Sequence, residues 1–221
     1  MGAQFLGRSK IFIYILGLLW LISVVSVPIS IHASTNIIFL GDSLTEGLGV
    51  KVKDSYPYVA SDILKSKGLT NLKIIVDGIS GSTSISGFSR LKRNIKQGVI
   101  ADYLFLALGA NDGLRGLPNK VLYGNLDKII NLSLKNNIKV IIVGMQVPTN
   151  YGIEYSQEFS EVYKDLYKKY RSTNKVFLLN FLLEGVAQNP HLNQTDGIHP
   201  NTKGHSVIAN NVSDFLAKII K

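Results

Sequence analysis

From residue 37 onward the chain alternates short, β-branched apolar runs with longer stretches in which apolar side chains recur every three or four positions. A run of four to six consecutive apolar residues suits a strand covered on both faces, whereas the wider spacing suits a helix with one buried stripe. Strands are therefore predicted at residues 37–40, 72–76, 103–108, 139–143 and 176–179, and helices at 57–67, 85–97, 118–136, 156–171 and 202–220. Each return to a parallel neighbour needs a crossover, and an intervening helix supplies it. The predicted fold is α/β: a three-layer α/β/α sandwich around a five-stranded parallel sheet. The longer irregular stretches are 41–56, 78–84, 109–118, 144–155 and 180–200. Four of them begin directly after a predicted strand, so they collect at the carboxyl edge of the sheet, where open α/β sheets place their reactive groups.

The first 33 residues break this alternation. Arg8 and Lys10 precede an uncharged apolar run over 11–27, then come Pro28 and a small-residue exit at Ala33-Ser34. This is the layout of a secretory signal cut after Ala33. The apolar run also approaches the ~20 residues that span a bilayer, so an uncut membrane anchor is the competing reading. The expected organisation is a signal peptide or anchor over 1–33 and one domain over 34–221, in a protein exported to the periplasm or beyond, or held at the membrane if the signal stays. With no cysteine in the chain, neither a disulfide nor a lipid-modified cysteine contributes.

Composition adds little to this picture. With 46% hydrophobic and 18% charged residues, disorder is not indicated. The net charge is +9; Arg8 and Lys10 are the only charged residues before position 34, which leaves +7 for the remainder. Such an excess favours contact with an anionic membrane surface. The lysines are spread from Lys51 to Lys218 without clustering or interleaved aromatics, so no nucleic-acid face is expected. No oligomeric state is read from the pattern.

Candidate chemistry enters at the strand ends. The run Ile37-Ile38-Phe39-Leu40 stops at Gly41 and hands over to Asp42-Ser43, placing a hydroxyl at the edge of the sheet. Serine needs a base during attack. Of the four histidines, His199 is preferred over His32, His191 and His205, because Asp196 three positions earlier can hold one ring nitrogen while the other faces Ser43. A structural reading of the same segment is a helix start, with Asp196 as cap and Pro200 in the first turn. His205 is expected on the last helix as a surface or packing residue. Asp42 and Asp112 lack further ligands at suitable spacing, so structural roles and no metal are expected for them. Neither glycine-rich phosphate-binding pattern follows a strand, and no cofactor is expected.

Four separated blocks, Gly41-Asp42-Ser43-Leu44, Ile79-Ser80-Gly81-Ser82-Thr83, Gly109-Ala110-Asn111-Asp112-Gly113-Leu114-Arg115-Gly116 and Asp196-Gly197-Ile198-His199-Pro200, occur in one order across residues 37–217. In these blocks the chain resembles the SGNH or GDSL hydrolases, and within them the thioesterase I, lysophospholipase and arylesterase branch. The resemblance implies a flavodoxin-like strand order and a catalytic set of Ser43, Asp196 and His199. It implies an oxyanion hole from the backbone N–H groups of Ser43 and Gly81 and the side-chain amide of Asn111, where donors must be fixed before negative charge develops. It further implies a serine esterase acting on fatty acyl esters (lysophospholipid, aryl ester or acyl thioester) through an acyl-serine. Leu114, Leu117, Met145, Pro148 and Tyr151 are the expected lining of an acyl groove.

The second block departs from the family pattern Asn-Ala-Gly-x-Ser-Gly-Asp-Thr, reading Val76-Asp77-Gly78-Ile79-Ser80-Gly81-Ser82-Thr83. The donor glycine is kept, while Val76 replaces an asparagine and Ser82 an aspartate. Two rival functions are a carbohydrate-ester deacetylase of the same fold and a non-catalytic envelope-binding module. The second has no need of the complete set of Ser43, Gly81, Asn111, Asp196 and His199.

Overall fold

The computed structural model describes Gly2 and residues 34–220. The predicted signal or anchor over 1–33 lies outside the described residues. Five strands, β1 (Thr35–Gly41), β2 (Leu72–Gly78), β3 (Tyr103–Ala107), β4 (Lys139–Val143) and β5 (Val176–Leu179), form one parallel sheet in the order β2-β1-β3-β4-β5. The long helices are α2 (Tyr56–Ser66), α3 (Ser84–Lys96), α5 (Asn119–Lys135), α6 (Ile153–Tyr170) and α7 (Thr202–Ile219). Each falls within about three residues of its predicted span.

The central strands carry the core. Ile37, Ile38, Phe39 and Leu40 of β1 are all buried, as are Leu104, Phe105 and Leu106 of β3 and Val140, Ile141 and Ile142 of β4. A strand flanked on both sides, with helices over both faces, has no solvent-facing positions, and so shows no polar alternation. The helices meet the sheet through stripes such as Leu122, Leu126, Ile129 and Ile130 on α5 and Phe159, Val162, Tyr163 and Leu166 on α6.

Two short helices were not foreseen: α1 (Ser43–Glu46) and α4 (Ala110–Leu114), each directly after a strand inside a stretch read as irregular. At four and five residues they are too short to show a hydrophobic period. The room for α1 is made by small residues in register at the carboxyl end of the sheet, Gly41 beside Gly78 and Ala107. A Cβ on Gly78 would fall on the backbone of Thr45 and Glu46, and one on Gly41 on the Thr45 side chain. The nucleophile-bearing turn can rest on the sheet only because those positions have no side chain.

Candidate active site

Ser43 is the first residue of α1. Asp42 caps that helix, its Oδ1 accepting the Leu44 N–H at 3.0 Å, and the turn closes on Gly47 in the left-handed region. A first-turn residue has no intrahelical acceptor for its N–H, and among the described residues no other acceptor takes the N–H of Ser43. The Ser43 hydroxyl is nearly buried and lies 2.9 Å from His199 Nε2. On the other side of the ring, His199 Nδ1 is 2.7 Å from Asp196 Oδ2.

Asp196 does not begin a helix, so the structural reading of that segment is corrected. Its Oδ1 accepts the N–H groups of Ile198 (2.9 Å) and His199 (3.0 Å), closing a tight turn, while α7 starts at Thr202 under an Asn201 cap. The turn keeps the His199 ring and the Asp196 carboxylate on one short segment, so their relative position is set by local bonds. The His199 N–H bond, followed by the bonds to its ring and to Ile198, holds the Asp196 carboxyl down to about 2. An ionised carboxylate on Nδ1 keeps the proton there and leaves Nε2 free to accept from serine.

Asn111, on α4, donates through Nδ2 to the Ser82 carbonyl at 3.0 Å and to Asp42 Oδ2 at 3.4 Å. The two bonds fix the amide plane, and the second is long enough for a better-placed acceptor to displace it. Gly81 is exposed, has φ +74, and its carbonyl accepts from Arg115 Nη2 at 2.9 Å. No acceptor among the described residues takes its N–H. A left-handed turn residue suits glycine. The same loop is tied to α1 through the Glu46 carboxylate, which accepts from both the N–H and the hydroxyl of Ser80.

The two other carboxylates near the serine act on the backbone. Burial pushes the Asp42 carboxyl up to about 6, against the Leu44 N–H and the His199 and Arg90 charges. Asp112 receives the N–H and hydroxyl of Ser84 at 2.8 and 2.6 Å, joining α4 to α3. Among the described residues no group of three or more His, Asp or Glu side chains is arranged to hold a metal ion. His205 is buried on α7, accepts the Tyr56 N–H through Nδ1 at 3.2 Å and stacks on that ring.

Ser43, Asn111 and His199 open into a cavity of about 330 Å³. Its walls are mostly apolar, with Leu44, Leu114, Val147, Pro148, Phe181, Leu183 and Ile198 among them, and Gln146, Gln188 and Asn193 add polar points. Of the five expected groove residues, Leu114 and Pro148 are in the wall. The other three are not in that wall. Met145 is 2% exposed in the core. Leu117 donates its N–H to the Asp112 carbonyl, and its own carbonyl accepts from the Tyr155 hydroxyl. Tyr151 ends the 3-10 turn Thr149–Tyr151 and is exposed. Phe181, Leu183 and Ile198 were missed. The apolar trio Phe181-Leu182-Leu183, directly after a strand, was the available signal: Leu182 enters the core and its neighbours face the cavity.

A serine hydroxyl, an imidazole and a carboxylate in hydrogen-bonded series at the carboxyl edge of a parallel α/β sheet define the serine-hydrolase class of site. Residues 39–207 match the GDSL-like lipase/acylhydrolase family, and the chain belongs to that family. It is 35% identical over 187 residues to an arylesterase of Vibrio mimicus, covering 85% of this chain and 90% of the relative. It is 31% identical over 186 residues to thioesterase 1/protease 1/lysophospholipase L1 of Escherichia coli strain K12, covering 84% and 83%. The crystal structure of TesA superposes with a TM-score of 0.77 at 30% identity, covering 84% of this chain and all of that one. The chain is an ester hydrolase.

Proposed function

We propose that the protein hydrolyses carboxylic esters of medium-length acyl chains, such as lysophospholipids, aryl esters or acyl thioesters, in two steps through an acyl-serine. The observation that carries this reading is the series Ser43 Oγ, His199 Nε2, His199 Nδ1, Asp196 Oδ2, with steps of 2.9 and 2.7 Å, at the wall of an apolar cleft. Ser43 attacks the acyl carbonyl as its proton passes to His199 Nε2. Asp196 stabilises the resulting imidazolium from the Nδ1 side. The carbonyl oxygen becomes an oxyanion facing the free N–H groups of Ser43 and Gly81 and the amide of Asn111. Collapse expels the alcohol or thiol, which takes the proton from His199; water then enters, activated by the same ring, and releases the acid.

The mainly apolar wall favours an acyl chain over an acetylated sugar, whose hydroxyls need a denser set of polar partners. Labelling with a fluorophosphonate probe and peptide mapping tests the nucleophile; modification anywhere but Ser43 refutes it. A series of p-nitrophenyl esters of increasing chain length tests the cleft, with the highest kcat/KM expected at an intermediate length. The segment 1–33 fits an export signal, which the mass of the exported product checks.

A further inference from the structure

Arg90 is a charged residue inside the molecule: it sits on the inner face of α3 with 5% of its surface exposed. A buried guanidinium persists only where acceptors and a counter-charge surround it. Here Nη2 donates to the Gly41 carbonyl at 2.8 Å and Nη1 to the Ser82 hydroxyl at 3.3 Å, while Nε lies 3.8 Å from Asp77 Oδ1. Among the described residues Nε has no hydrogen-bond partner, so its contact with Asp77 is an ion pair across a short gap. The other Asp77 oxygen accepts from Asn94 at 2.9 Å, which holds the carboxylate in place.

These contacts reach three separate pieces of chain. Gly41 is the end of β1, two residues before the nucleophile; Asp77 belongs to β2; Ser82 follows the glycine whose N–H is free. The Ser82 carbonyl is also the acceptor that fixes the Asn111 amide. One buried cation therefore touches or borders each segment that supplies an oxyanion donor. Arg115 holds the Gly81 carbonyl from the exposed side, where water competes with it.

We propose that Arg90 is a positioning residue for the oxyanion pocket: its guanidinium, held by Asp77, locks Gly41 and Ser82 so that the Ser43, Gly81 and Asn111 donors converge on one point. Arg90 is not in the cleft wall and acts only through these segments. The proposal rests on the acyl-serine reading above. A planar fork reaching two acceptors is a property of arginine that lysine does not share.

The test measures kcat, KM and thermal midpoint on a p-nitrophenyl ester for Arg90→Lys, Asp77→Ala and the double variant Asp77→Ala/Ser82→Asp, with Ser43→Ala alongside. Ser82 Oγ already lies against Nη1, so a carboxylate there supplies the counter-charge from the other side. Because small misplacements of donors weigh on the transition state rather than on ground-state binding, the two single variants are expected to lose about 10-fold or more in kcat with KM within about twofold. The double variant is expected to recover most of that loss. Unchanged kcat in Arg90→Lys, a loss in Asp77→Ala that Ser82→Asp does not recover, or a change confined to KM overturns the proposal. Should Arg90→Lys fail to fold, Ser82→Ala removes one hydroxyl at the same contact and is expected to lower kcat about threefold at constant KM; unchanged kcat there is equally decisive against it. Activity retained in Ser43→Ala refutes the acyl-serine reading as well, whereas activity lost there but intact in the Arg90 and Asp77 variants refutes this inference alone.

Discussion

Replacing His205 by asparagine removes one buried titrating group while leaving an oxygen where Nδ1 accepts the Tyr56 N–H. In the folded protein burial, aided by the His199 charge, lowers the His205 imidazole from 6.5 to about 4. Between those values the unfolded chain carries a proton that the folded chain refuses, so folding stability falls as pH drops through the window. That lowering corresponds to about 3 kcal/mol, most of it lost by about pH 4. Asp42 acts in the opposite sense over nearly the same range. Its carboxyl is raised from 3.8 to about 6, so the folded chain holds a proton that the unfolded chain releases, and stability falls as pH rises. The two slopes nearly cancel in the native protein. Urea unfolding of native and His205→Asn proteins at half-unit steps from pH 4 to 7 separates them. At pH 7 the variant is expected to be less stable by about 1–3 kcal/mol, from lost ring packing. That gap is expected to close or reverse by about 3 kcal/mol on going to pH 4. Two curves that stay parallel across the window refute the account of a neutral, buried imidazole behind the nucleophile.

Asp42→Asn is expected to give the mirror image, gaining on the native protein by about 3 kcal/mol as pH rises from 4 to 7, by the same unfolding series. Asp196→Asn is expected to lower kcat by about 10³-fold or more while the midpoint of unfolding near neutral pH moves little, since an amide presents the wrong group to His199 Nδ1; steady-state kinetics and a thermal melt check both halves. Leu183→Trp narrows the cleft, and the preferred p-nitrophenyl ester is expected to become shorter. Met145→Ala is expected to cost about 2–5 kcal/mol without changing chain-length preference, because the side chain fills core rather than cleft.

The parts of the fold legible in the sequence were those with a period. β1, β3 and β4 are covered on both faces and read as unbroken apolar runs, and the long helices each bury one stripe. The exposed edges of order were harder. β2 was expected to stop at Val76 but runs to Gly78, because Asp77 and Gly78 break the apolar pattern while keeping their places beside Leu40 and Gly41. Asp77 is tolerated on the strand because Arg90 and Asn94 meet it. That compensation spans 13 and 17 positions and leaves no local trace.

The same distinction runs through the site. Asp196 and His199 are legible because three residues of separation is also a turn: the carboxylate that orients the ring accepts the ring's own backbone N–H. Ser43 is legible because a strand stops at a glycine before it. The lining of the cleft was less so, since an apolar loop residue faces core or cleft according to small differences in backbone direction. Met145 and Val147 lie two positions apart after β4, yet only Val147 reaches the cavity. The residues that hold the donors in place were not legible at all. Arg90 looks like any cation on an amphipathic helix until its guanidinium is traced to Gly41, Ser82 and Asp77. A cleft built on loops at a sheet edge needs some rigid element joining them. Here a buried ion pair joins them, which is why single changes at Arg90 or Asp77, out of contact with any substrate, are expected to register in kcat.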